Sequence, residues 1–157
     1  MIFLLLGSNM GDRAANLADA RKRMFEALGL ADKESRQVFF SPEVRTEAIG
    51  FEGPFFLNQI VVFEKLKITP RKLLKICQKI EVEMGRERHQ AEYDAEGRRI
   101  YRDRIIDIDI LAFDDVHCDT KSLTLPHPQI RNRPFVMKIA ALLPGPVFMN
   151  FQMIVNK

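Results

Sequence analysis

A chain of 157 residues, 46% hydrophobic and 29% charged, has the length of one domain and the composition of a protein that buries its own core, which excludes a disordered or fibrous class. A net charge of +3 suits nucleic acid, nucleotides or phosphorylated metabolites without choosing among them. Cys77 and Cys118 stand far apart and outside any CxxC pairing, so neither a disulfide framework nor a zinc site is expected.

The opening MIFLLLG is too short for a membrane span and has no basic stretch before it. It reads as the first strand of a cytoplasmic protein. Gly7-Ser8-Asn9 then turns the chain, and Asp12 caps a helix to about Leu28, whose Leu17, Ala20, Met24 and Leu28 recur at helical spacing before Gly29 stops it. A second extended segment runs from about Ser35 to Arg45, with Pro42 arguing for an edge or a bulge. The loop TEAIGFEGP follows, and FFLNQIVVFEKL returns to strand composition. Thr69-Pro70 opens a second helix with Leu73, Ile76, Cys77, Ile80 and Met84 on its buried stripe, ending at Gly85.

Residues 86–104 are of mixed charge and lack apolar periodicity, which predicts a long mobile loop of the functional kind. A strand from Arg104 to Phe113, a turn at Asp114-Asp115, the segment LTLPHPQIRNRPF and a last helix from about Pro134 complete the chain. That helix carries Val136, Ile139, Ala140 and Leu143 and is ended by Pro144-Gly145. The order predicts an α+β fold: a ferredoxin-like βαββαβ antiparallel sheet with helices on one face and an added C-terminal helix, residues 1–157 forming a single domain.

The chemistry centres on RIIDIDILAF. Strict alternation puts Asp107 and Asp109 on one face with Ile105, Leu111 and Phe113, and Ile106, Ile108, Ile110 and Ala112 on the other. Two like charges with α-carbons roughly 7 Å apart on a strand built for burial are costly unless a cation sits between them. Hard oxygen ligands with open positions suit Mg²⁺, which completes its shell from water and substrate phosphates. A generic pair of this kind is more often solvated at a sheet rim. Here, however, Arg86, Arg88, Arg98, Arg99, Arg102 and Arg104 come before the strand, and His127, Arg131 and Arg133 after it. Metal plus arginines is the provision for polyphosphate. At least half of the loop arginines are expected to be merely solvated and salt-bridged. The GSNMGD turn is no Walker motif and reads as a structural turn and cap. Phe56, Asn58 and Ile60 share a strand face, an arrangement able to stack on a flat heterocycle and bond its edge, with Phe135 as a second ring; core Phe plus a capped Asn is the duller alternative.

Together LLLGSNMGD, VRTEAIG, FFLNQIVVFE, LLKICQKIEVEMGR, RIIDIDILAF and LTLPHPQIRNRPFV resemble, in order and over most of the chain, the 6-hydroxymethyl-7,8-dihydropterin pyrophosphokinases of folate biosynthesis. The resemblance implies ATP as co-substrate, two Mg²⁺ ions held by Asp107 and Asp109, and pyrophosphate transfer to the pterin's hydroxymethyl oxygen with release of AMP. It implies that Thr46, Ala48, Ile49 and Asn58 meet the pterin edge while Phe56 and Phe135 stack on its faces. Gln78, Glu81 and the backbone of Ile110 would meet the nucleotide; Arg86, Arg88, Arg104, Thr124, His127 and Arg133 would take phosphates and ribose. Arg86, Arg104, Asp107 and Asp109 would be the catalytic set, and the loop would close over both substrates. The chain departs from the family at Arg102-Asp103, where Gly-Pro is common, at Phe56, where tyrosine is frequent, and at Glu47, where proline is common. An RNA-recognition domain shares the topology, but a pattern like RGFGFV is missing, so no nucleic-acid partner is expected. Neither is a membrane; the chain is expected to act as a monomer.

Overall fold

The computed structural model describes residues 1–30, 37–48, 52–86, 92–98, 100 and 103–157. Its first strand, β1 (Ile2–Ser8), is buried along its whole length. The Asp12 carboxylate accepts the Ala15 N–H at 3.0 Å and starts α1 (Arg13–Leu28), which Gly29 closes at φ 66°, a conformation that costs glycine little. The expected second strand is broken into β2 (Val38–Phe40) and β3 (Val44–Thr46). Between them lies Pro42, which has no N–H to give a ladder. Side chains replace the missing bonds: Ser41 Oγ accepts the Ile60 N–H at 2.9 Å and Gln59 donates to the Ser41 carbonyl at 2.8 Å.

Both pieces pair with β4 (Phe56–Phe63), which is followed by α2 (Pro70–Glu83), opened by Thr69 Oγ1 accepting the Lys72 N–H at 3.2 Å. Next come β5 (Asp107–Phe113) and a small hairpin of β6 (Cys118–Asp119) and β7 (Thr124–Leu125). Three helices end the chain, α3 (Gln129–Asn132), α4 (Pro134–Ala140) and α5 (Gly145–Val155). The main sheet runs β2-β4-β1-β5 with β3 also on β4, all antiparallel. This is the ferredoxin-like order, as predicted.

Three expectations need correction. Helices cover both faces of the sheet rather than one. Leu17, Ala20 and Met24 of α1 and Leu73, Cys77 and Ile80 of α2 pack on Ile2, Leu4 and Leu6, whereas Val136, Ile139, Val147 and Phe151 of α4 and α5 pack on Phe3, Leu5, Ile60 and Val62. Pro144-Gly145 does not end the helical region either. The helix before it stops at Ala140 and a second one starts at Gly145, whose Phe151 ring lies 4.8 Å from that of Phe3. Finally, alternation along β5 breaks. Leu4 pairs with Ile110 but Phe3 pairs with Ala112, so Leu111 is an extra residue. This bulge turns Phe113 to the α1/α2 face with Ile106, Ile108 and Ile110, and leaves Leu111 and Ala112 together on the other.

Of the predicted loop, residues 87–91, 99 and 101–102 lie outside the described residues. Between them, Asp94 Oδ1 accepts the N–H groups of Glu96 and Arg98, and Ile100 N–H donates to the Glu92 carbonyl at 2.8 Å; this part of the segment folds into a turn of its own.

Candidate active site

The end of β5 nearest the loop carries the charges. Asp107 lies opposite Gly7, and Asp109 opposite Leu5. Cross-strand partners share a face, so both carboxylates project on the α4/α5 side, one pleat repeat apart. They face a cavity of about 520 Å³ that also takes Gln78, Glu81, Arg86, Arg104, Ile110, Thr124, His127 and Arg133 into its lining. Every predicted nucleotide-side residue that the structure describes is therefore brought together. Arg88 and Ile49 lie outside the described residues.

Asp107 Oδ1 receives Arg86 Nη1 and Arg104 Nη1, each at 2.9 Å. Arg86 Nη1 also reaches Glu81 Oε1 at 2.6 Å, and that same oxygen accepts the Ile108 N–H at 2.8 Å. Glu81 thus serves as a buttress that aims Arg86 and anchors β5 to α2. Burial raises its pKa, with Arg86 opposing.

Asp109 is the less compensated partner. Burial and the neighbouring Asp107 charge push its carboxyl up to about 7, Arg133 and Arg104 acting against them. His127 Nε2 stands 3.9 Å from Asp109 Oδ1. Its ring is fixed from behind, because Nδ1 accepts the Gln129 N–H at 3.1 Å while the His127 N–H donates to the Leu111 carbonyl at 2.8 Å. Nδ1 being an acceptor, the neutral imidazole carries its proton on Nε2. Burial and Arg133 lower the His127 pKa.

Of the predicted heterocycle residues, Phe56 and Asn58 lie on the same face two strands over from β5, on β4, and Thr46 three over, on β3. Asn58 is buried and donates Nδ2 to Thr46 Oγ1 at 2.5 Å. Phe56 pairs with Thr46, and Ala48 follows beyond the end of β3. Phe135 sits in the first turn of α4, packed at the edge of the second core. None of these four, nor Asn58, belongs to the lining of the charged cavity. Gly7 joins the two halves.

Gly7 pairs with Asn58 on one side and Asp107 on the other, and a Cβ there would stand 2.8 Å from Asn58 Oδ1 and 3.6 Å from the Phe56 ring. Only glycine leaves that space open, a role hidden in sequence because Gly7 reads as the start of a turn. Asn9 is also more than a turn residue. Fully buried, it accepts the Arg104 N–H on Oδ1 at 2.6 Å and donates Nδ2 to Asp103 Oδ1 at 2.9 Å and to the Pro54 carbonyl at 3.4 Å. Leu74 and the 120–123 segment are among the unpredicted residues that also line the cavity; for Leu74, its four-residue spacing from Gln78 on α2 was the available signal.

Among the described residues no three His, Cys, Asp or Glu side chains converge to hold a metal by themselves. The Asp107/Asp109 pair instead suits a cation that draws its other ligands from phosphate and water, and the raised Asp109 pKa is the mark of a carboxylate short of positive charge.

Two carboxylates beneath arginines at one end of a ferredoxin-like sheet, beside an amide and two rings, define the class: a phosphate-transferring enzyme. The family model of 7,8-dihydro-6-hydroxymethylpterin-pyrophosphokinase (HPPK) matches residues 3–144, and the chain belongs to this family. Relatives include 2-amino-4-hydroxy-6-hydroxymethyldihydropteridine pyrophosphokinases of Methylorubrum extorquens, 36% identical over 86% of this chain and 77% of the relative, and of Porphyromonas gingivalis, 37% identical over 87% and 85%. A folic acid synthesis protein of Schizosaccharomyces pombe is 31% identical over 90% of this chain but only 18% of its own length. The protein transfers pyrophosphate from ATP to the hydroxymethyl group of 6-hydroxymethyl-7,8-dihydropterin, yielding the pterin diphosphate and AMP for folate biosynthesis. Among the described residues no helix is long and apolar enough to cross a membrane.

Proposed function

We propose that the charged cavity is the ATP site, that Asp107 and Asp109 hold two Mg²⁺ ions, and that Thr46, Ala48, Phe56, Asn58 and Phe135 bind the pterin. The observation that carries this reading is Gly7, flanked on one sheet face by Asn58 and Asp107. A heterocycle held at Asn58 has its substituent directed over a residue without a side chain toward the carboxylate pair. Bound Mg²⁺ would neutralise phosphate charge and polarise the phosphoryl group under attack.

The chain's own groups do the rest. Arg86 and Arg104, already aimed by Glu81, Asp107 and Asn9, move from carboxylate to phosphate oxygens as the nucleotide enters. Arg133 adds a third positive charge, and the Nε2–H of neutral His127 donates to a phosphate oxygen. Leu74, Gln78 and Ile110 offer the nucleobase an apolar wall and an amide. The hydroxyl attacks the β-phosphorus in line, its orientation fixed by rings on the pterin faces and by Asn58 at its edge, and no covalent enzyme intermediate is needed. Ile49, Arg88 and the loop closure expected over the substrates lie outside the described residues. We read residues 1–157 as one domain acting as a cytoplasmic monomer.

The test is turnover with ATP and hydroxymethyldihydropterin, with and without Mg²⁺. AMP and pterin diphosphate should form only with the metal, and Asp109→Ala should abolish turnover while leaving a folded protein. Undiminished turnover in chelator, or in the Asp109→Ala variant, sinks the assignment.

A further inference from the structure

Behind the pterin residues, on the opposite face of the same strands, the Phe55 ring lies between two guanidinium groups. Arg13 Cζ stands 3.9 Å from the ring centroid and Arg45 Cζ 3.7 Å. Both distances are those of direct cation–π stacking. The arginines come from different elements, Arg13 being the first residue of α1 and Arg45 the middle of β3. Arg13 Nε is buried without a hydrogen-bond partner among the described residues, so the stack on Phe55 is the contact the structure shows for that end of the guanidinium.

The position of this stack gives it a task. The β3–β4 ladder has three residue pairs and ends at Thr46↔Phe56. Phe55 is therefore the first residue of the incoming segment that no ladder holds, and the next residue is the ring proposed to stack on the pterin. Alternation places Arg45 and Leu57 on the α1 face and Thr46, Phe56 and Asn58 on the site face. An aliphatic side chain at 55 would fill space but would not attract two cations. An aromatic one presents a negative π-face to each, and so ties the entry of β4 to α1 and β3 at once.

We infer that Phe55, clamped between Arg13 and Arg45, is a positioning residue for pterin recognition, setting Phe56 and Asn58 from behind without touching either substrate. The inference rests on the reading that Phe56 and Asn58 bind the pterin. It is specific to that half of the site: the ATP cavity includes none of the three clamp residues.

Pterin and ATP affinities are measured separately, by fluorescence titration of the pterin and by equilibrium dialysis of labelled ATP. Phe55→Leu should weaken pterin binding by roughly tenfold to a hundredfold, the range expected when a positioned group shifts by up to about an ångström. ATP affinity should be unchanged, and Phe55→Tyr, which keeps the ring, should restore the pterin affinity. Arg45→Met, at an exposed side chain, supplies the same test should Phe55→Leu not fold. Unchanged pterin affinity in these variants, equal loss for both ligands, or failure of Phe55→Tyr to restore it would overturn the inference. Asn58→Ala separates the two levels. If that variant keeps full pterin affinity, the pterin assignment itself fails; if it loses affinity and Phe55→Leu does not, only the clamp fails.

Discussion

Asp109→Asn removes one negative charge at nearly constant volume from a strand that carries two. In the metal-free protein, burial and Asp107 hold the Asp109 carboxyl up at about 7 instead of 3.8, with Glu81 adding to the rise and Arg133 and Arg104 opposing it. At 1.36 kcal/mol per unit, ionising it in the fold costs at most about 4 kcal/mol relative to the unfolded chain. The side chain is 26% exposed, and solvent screening brings the expected cost to about 2 kcal/mol. Between about pH 4 and pH 7 the folded state holds a proton that the unfolded chain has released, so stability falls as pH rises through that window and the penalty is complete above it. Asp109→Asn should therefore melt about 4 to 8 °C above the natural sequence near pH 8 for a chain of this length, and the gain should shrink below pH 7 and vanish near about pH 4. Thermal melts of both proteins across that range, in chelator, provide the measurement. Adding Mg²⁺ with a non-hydrolysable ATP analogue should raise the melting temperature of the natural sequence and much less that of the variant, because only the former keeps both carboxylates proposed to hold the metal. A variant that melts lower near pH 8, or whose gain is the same at both ends of the range, would refute the reasoning.

Gly7→Ala places a methyl group 2.8 Å from Asn58 Oδ1, too close to stand, so the amide must turn away; pterin KM should rise by roughly a hundredfold, read from initial rates at saturating ATP. Phe56→Ala should raise the pterin KM while Phe56→Tyr keeps it near the starting value, since the second retains the ring. Leu17→Ala, at a fully buried position of the α1 core, should cost about 3 to 5 kcal/mol in urea unfolding. Of the two thiols, Cys77 is buried and its pKa raised chiefly by burial, so iodoacetamide should label Cys118 first in the folded protein, as followed by mass spectrometry.

Features governed by neighbours in sequence were legible. Asp12, Thr69 and Gly29 mark helix ends because capping is settled within three or four residues, and the period of two in RIIDIDIL puts Asp107 and Asp109 on one face whatever packs there. Register was not. A single extra residue at Leu111 reverses the side of Phe113 without altering composition, and only pairing with Phe3 and Leu4 reveals it. The second helical layer had a signal that alternation obscured: β1 is apolar at Ile2 through Leu6, and a strand with no polar side must be covered on both. Pro144-Gly145 hid the helix that does part of the covering, since proline suits the first turn of a helix as readily as it stops one.

The same division runs through the site. The half proposed for the nucleotide is marked chiefly by ionisable residues whose type suits phosphate, and the cavity gathers them. The half proposed for the pterin consists of an amide, rings and a glycine, residue types that are ordinary in any core and stand out only through register. Asn9 is the clearest case, binding Arg104, Asp103 and Pro54 from positions up to 95 residues away in sequence. Because one buried amide holds both Arg104, proposed to meet phosphate, and the segment that leads into Phe56, the two proposed halves of the site are mechanically joined at Asn9. Asn9→Ala should therefore weaken ATP and pterin together, in contrast to the pterin-selective loss expected of Phe55, and a loss confined to one substrate would show that the two halves are set independently.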